Sequence, residues 1–210
     1  MNTKKRILDE ALTLFAEKGY ANVYVGEIAE AVGIKAPSLY KHYKSKQDIF
    51  NAILEEMKEN YETQARALGM NGEDAFADMD FFQNLSEDGL VKAGLQLFSY
   101  FLHDEYVSRF RKMLTIEQFH DSELATLCTK QYVDGPLAYQ TTLFQMLCGE
   151  KGILRKEEPD IMALQFYAPI YLLLTMCDRE PAREEEAMVY LERHIGQFQR
   201  IYQPAKEEMK

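Results

Sequence analysis

Alternating polar and apolar stretches, low-complexity tracts and internal repeats are all missing from this 210-residue chain. Without alternation a half-buried strand has nothing to specify its two faces, so a sheet-based core is excluded. Without a fixed period a solenoid or propeller is excluded as well. Cysteine is scarce: Cys128, Cys148 and Cys177 are odd in number and lack C-x-x-C spacing. That rules out a disulfide framework or zinc motif and fits a reducing, cytoplasmic setting. No nucleophile with a base at informative spacing, no phosphate loop and no metal-ligand cluster can be named, so neither an enzyme nor a cofactor is expected. His103 and His120 are each followed by Asp, but neighbours in sequence do not converge on a metal. Positive charge is the minority, 24 Lys and Arg against 34 Asp and Glu, a net charge of -10. A protein that holds nucleic acid by overall attraction is thereby excluded.

What is present is helical throughout, an all-α chain whose few prolines and glycines mark joints. In residues 25–43, VGEIAEAVGIKAPSLYKHY, the apolar Val25, Ile28, Ala29 and Val32 recur at the spacing of one buried helical stripe. Gly33 can take the left-handed conformation that ends a helix, and Pro37 suits the first turn of the next one. Leu39 and Tyr43 face inward. Lys35, Ser38, Tyr40, Lys41 and His42 then form a free face of donors and positive charge without an acid, suited to phosphates and base edges. This is a helix-turn-helix. A helix braces it on either side: one carrying Ile7, Leu8, Ala11, Leu12 and Phe15, and one opened by a capping box at Ser45 and Asp48.

The segments LTLFAEKGYANV, EIAEAVGI and SLYKHYKSKQDIF resemble the N-terminal domain of tetracycline-repressor (TetR) family transcriptional regulators. The resemblance covers about the first quarter of the chain and implies a three-helix DNA-binding head, residues 1–46, on a helical ligand-binding and dimerisation body, residues 47–210. It also implies that Lys35, Ser38, Tyr40, His42 and Lys46 face DNA, with Tyr40 and Lys46 meeting phosphates. With the intervening Ala36 and Pro37 and the basic Lys41, these make up the expected DNA-binding set. The chain departs from the family where a Thr or Ser usually caps the second helix; Val23 and Tyr24 stand there, which leaves the cap to Asn22 or leaves the end frayed.

Charge follows the same division. Residues 1–50 hold 8 basic against 6 acidic residues, and the remainder 16 against 28. Periodicity places body helices at 46–67, 74–84, 87–103, 105–118, 121–149, 159–178 and 184–202. Residues 161–177 are apolar almost all round, which predicts a buried helix rather than a membrane span. The final helix carries Ala187, Tyr190, Leu191, His194, Ile195, Phe198, Ile201 and Tyr202 on one stripe. Periodicity alone allows that stripe a partner in the chain's own core or in a second copy. The family resemblance implies the second copy, a homodimer through 159–178 and 184–202 that reads a palindromic operator in double-stranded DNA.

An effector pocket is expected among the aromatic and sulfur residues of the body, with Phe101, Phe110, Met113, Tyr139, Phe166, Tyr167 and Tyr171 as its walls and Glu117 to neutralise a cationic guest. A lipophilic small molecule suits such a lining. The expected switch is a repressor released when that molecule moves the helix at 46–67, a coupling of about 1–3 kcal/mol. The alternative is a protein of the same fold that binds a protein partner instead of an operator.

Overall fold

The computed structural model describes residues 2–149 and 153–204, and among these there are helices and no strand. The chain folds as two compact units: residues 1–61 with 103–128, and residues 62–102 with 129–210. The first therefore runs past residue 46 and takes in a second, distant piece of chain.

Four helices begin the first unit: α1 Thr3–Lys18, α2 Val25–Val32, α3 Ala36–Leu39 and α4 Lys46–Leu68, the last passing on into the second unit. Asn2 caps α1 by accepting from the Lys4 N–H. Gly33, in the left-handed conformation, closes α2 as expected. Ser45 Oγ accepts from the Asp48 N–H and the Asp48 carboxylate from the Lys44 N–H, so the capping box opens α4. Helix α7, Glu105–Glu117, lies along α1 and completes this core, joined at its far end to α8, Ser122–Thr129. A run of rings, Phe15 to Tyr20 to Phe50 to Phe110, crosses it at centroid spacings of 5.0, 5.0 and 5.6 Å. Polar ties seal the α1–α7 seam: the Tyr106 hydroxyl donates to Asp9, Arg109 donates to Thr13 at 3.0 Å, and the Lys5 ammonium lies 4.0 Å from the Tyr106 ring centre. Burial and the Asp9 partner push the Tyr106 phenol far above its ordinary value, so it stays a donor throughout the physiological range.

The second unit holds α5 Ala75–Asn84, α6 Glu87–His103, α9 Gly135–Leu147, α10 Pro159–Arg179 and α11 Glu184–Tyr202. The helix expected at 121–149 is interrupted by a π-turn at Lys130–Asp134. The cause is Pro136, which has no N–H for the Tyr132 carbonyl. The Tyr167 hydroxyl donates to that carbonyl at 2.8 Å, and the Gly135 N–H reaches back to Lys130. Two apolar clusters form the core, one around Phe144, Met162 and Phe198, the other around Phe98, Leu173, Leu191 and Ile195; Phe166 packs against both.

Helix α10 corrects the expectation of all-round burial. Met162, Ala163, Leu173, Leu174 and Cys177 are buried, while Ile161, Leu164 and Leu172 on the other side are exposed. By length and composition it could cross a membrane, yet one face packs on α9 and α11, and the fold accounts for the apolar residues of that face.

Candidate nucleic-acid interface

The recognition segment is short. After the single α-helical turn of α3, hydrogen bonds from the Tyr40, Lys41, His42 and Tyr43 N–H groups carry the coil on to Tyr43. Leu39 and Tyr43 are buried beneath it, which fixes its rotation. Lys35, Pro37, Tyr40, Lys41 and His42 are exposed, and Ala36 and Ser38 half-exposed. Tyr40 is 51% exposed although it is aromatic, and Tyr24 at the start of α2 is 72% exposed. The recognition segment thus exposes a phenol, an imidazole and ammonium groups, the chemistry that holds phosphates and reads base edges.

The elements behind this face are tied from several sides. Arg6 on α1 donates to the Val32 carbonyl at the end of α2, 2.6 Å. Tyr24 caps nothing with its side chain; its own N–H donates to Glu27 at 2.8 Å, which in turn pairs with Lys18 at 2.9 Å. Asn22, a candidate for that cap, instead donates to the Lys18 carbonyl and closes the end of α1. Gly19, with a φ of 82°, ends α1 with its N–H on the Phe15 carbonyl. The Lys18 and Tyr24 bonds hold the Glu27 carboxyl below its ordinary 4.5. A depressed carboxyl stabilises the fold above that pH and ceases to as pH falls through the folded value, so Glu27→Gln should flatten the acid limb of the head's thermal stability, read by circular dichroism.

Lys46 is half-exposed. Its ammonium donates to the carbonyls of Tyr20 at 2.8 Å and Val23 at 3.0 Å, with Ala21 at 3.4 Å, and it sits 4.4 Å from the Tyr20 ring centre. These acceptors take up its three N–H donors. Burial lowers its pKa, and the negative Glu117 opposes that shift. Glu117, 3% exposed, comes from α7 and packs against Gly19, where a Cβ would stand 2.1 Å from its Oε1. Gly19→Ala should therefore lower the melting temperature by several degrees, since φ and contact both oppose a side chain; a loss of about 1–3 kcal/mol is expected.

The eight residues expected around an effector divide between the two units. Phe110, Met113 and Glu117 are buried in the first unit, Phe110 against Phe50. Phe101, Tyr139, Phe166, Tyr167 and Tyr171 belong to the second. There the Tyr139 hydroxyl donates to the buried Asp78 at 2.7 Å, whose carboxylate also holds the Asn71 and Gly72 N–H groups. Tyr171 stacks between Tyr132 and Tyr167 at 6.3 and 6.2 Å, and Phe101 packs beside the Leu191 cluster.

The exposed basic and aromatic second helix of a helix-turn-helix in an all-helical chain defines a surface suited to DNA. Residues 7–53 match the family model described as bacterial regulatory proteins, tetR family. The biofilm operon negative transcriptional regulator IcaR of Staphylococcus epidermidis is 44% identical over 52 residues, 25% of this chain and 28% of that protein; the transcriptional regulator AcrR of Shigella flexneri is 41% identical over 58 residues, 28% and 27%. The matched segment is thus about a quarter of these relatives' length. Over the whole chain, SmeT, the repressor of a Stenotrophomonas maltophilia multidrug efflux pump, superposes with a TM-score of 0.62 at 19% identity, covering 98% of this chain and 93% of its own. A TetR-family regulator from Mesorhizobium loti gives 0.66 at 18%, covering 96% of each. Residues 7–53 thus match the DNA-binding domain of the TetR family, and the whole chain shares the all-helical fold of solved TetR-family regulators.

Proposed function

We propose that the chain is a homodimeric repressor of a palindromic operator, released by a lipophilic small molecule. The observation that carries the DNA half is the exposed face of Lys35, Tyr40, Lys41 and His42 on a buried Leu39 and Tyr43 anchor. Lys35 and Ser38 read bases, Tyr40, Lys41 and His42 hold the backbone, Ala36 and Pro37 allow close approach, and Lys46 serves the face by fixing the loop behind it. Two heads related by a two-fold axis read half-sites about 34–36 Å apart or a multiple of that. Selection from random duplexes followed by anisotropy should yield a palindrome; no enriched palindrome would remove the operator from the reading. Lys35→Ala and Ser38→Ala should change which bases are selected, at about 1–3 kcal/mol per lost contact, while Lys41→Ala should weaken all sites alike.

The dimer is supported by an apolar face on α10 and α11 formed by Leu164, Leu172, Val189, Tyr190 and Ile201, all exposed. It contains a hollow of about 530 Å³ floored by Leu172, Leu173 and Met176 beside Tyr190 and His194, which side chains of a second copy would fill. For the effector, the second unit's Phe166, Tyr167 and Tyr171 remain the aromatic wall, with Phe101 and Tyr139 shaping it. SmeT has been observed in complex with triclosan, a precedent for a lipophilic ligand on this fold.

A further inference from the structure

The first unit contains a second feature, separate from its basic face: a cleft of about 200 Å³ between α4 and α8. Drug-sized pockets run to roughly 300–1,000 Å³, so this one suits a single ring with a short substituent. Its inner wall is Tyr20, Phe50 and Leu54, with Leu124 and Leu127 opposite, and Tyr20 meets Phe50 edge to face. Asp121 and Glu123 stand on its rim. Asp121 uses Oδ1 to cap α8, accepting from the Glu123 and Leu124 N–H groups at 2.8 and 3.0 Å. Neither carboxylate forms an ion pair among the described residues. Their field reaches inside: the Tyr20 phenol is raised first by burial and then by these two carboxylates. Lys46, whose ammonium lies over the Tyr20 ring, does not line the cleft.

A cleft walled by rings and leucines, with the Gln47 and Asn51 amides and an unpaired acidic rim, rejects carboxylates and offers a neutral ring packing without an ionic partner. It favours a guest with a flat apolar body and a positive end. We propose that this cleft binds a small aryl-ammonium cation, its ring against Tyr20, Phe50 and Leu124 and its nitrogen at Asp121 and Glu123. Occupancy bears on the DNA-facing elements because the Tyr20 carbonyl is one of the acceptors that hold Lys46, and Gln47, next along α4, accepts from the Tyr20 hydroxyl at 3.0 Å. That consequence rests on the operator reading; the binding itself does not.

The test is calorimetry on the full chain with benzyltrimethylammonium, and with benzyl alcohol as a neutral ring. The cation should saturate a single site at millimolar concentration or below and bind more tightly than the alcohol. Asp121→Asn with Glu123→Gln, which keeps a capping side chain on α8, should weaken it roughly five-fold or more. Asn51→Trp, at the exposed edge of the cleft, should abolish it. No saturable heat, equal binding of the alcohol, or unchanged affinity in both variants overturns the proposal. Operator titration is a separate arm. A cation effect on operator affinity that disappears in the charge variant supports the coupling, and a saturated cleft without any effect overturns it. Failure of the wild type to bind DNA at all removes the operator reading, while calorimetry still decides the cleft.

Discussion

Lys46→Met is expected to lower operator affinity by about ten-fold or more at every salt concentration, without changing the slope of log affinity against log salt. Methionine keeps the length and apolar stem of lysine but removes the donors that the Tyr20 and Val23 carbonyls use. The Val23 carbonyl left without a partner in this half-buried site costs about 1–3 kcal/mol, and the Tyr20 carbonyl keeps only the 3.4 Å bond from the Val23 N–H, which loosens the loop that leads into α2. The melting temperature should fall with the affinity. A lysine that touches a phosphate behaves differently: its loss makes the salt slope shallower by roughly 0.9 and leaves the free protein's stability alone. Lys46→Arg separates the two roles again, because a guanidinium keeps a phosphate contact but its planar fork cannot point donors at carbonyls from Tyr20, Ala21 and Val23 at once. A shallower slope with unaltered stability, or full activity in Lys46→Arg, would return Lys46 to the DNA surface.

The carbonyl partners of Lys46 lie more than twenty positions away, beyond the range of local sequence signals. Helix ends were legible because their signals are local: Asn2, Gly33, Ser45 and Asp48 act within a few residues of themselves, and α4, α6, α7, α10 and α11 fall within a residue of the expected bounds. The exposed face of the recognition segment was legible for the same reason, since Leu39 and Tyr43 fix its rotation through their spacing. Roles set by distant partners were not. Nothing near Glu117 announces that it packs on Gly19, and the Asp9 partner of Tyr106 is 97 positions away. Composition could place Phe110 and Met113 among aromatic and sulfur neighbours, but it could not say that α7 folds with α1. The π-turn had a local sign, Gly135–Pro136, yet its resolution needed the Tyr167 hydroxyl from another helix.

Leu172→Glu is expected to leave the fold of each chain intact, convert the protein to monomers and reduce operator affinity about 100-fold or more. Leu172 is 63% exposed in the single chain, so a carboxylate there costs the monomer little. In a two-fold interface the same patch serves both copies, and the substitution buries two unpaired charges against apolar surface. Once the copies separate, the second head no longer binds as an intramolecular event, and an avidity of roughly 10²–10⁴ is lost. Of the two arginines that line the hollow with Leu172, Arg183 is already held by Glu186 at 2.8 Å and by Glu180 at 3.7 Å within its own chain. Phe76→Glu is the control, an aromatic residue 70% exposed on α5, whose place is outside both α10 and α11. Sedimentation velocity should show the control dimeric and Leu172→Glu monomeric, with unchanged helicity in both. If Leu172→Glu sediments as a dimer with wild-type operator affinity, the α10–α11 face is not the dimer interface, and its exposed apolar side chains need another occupant.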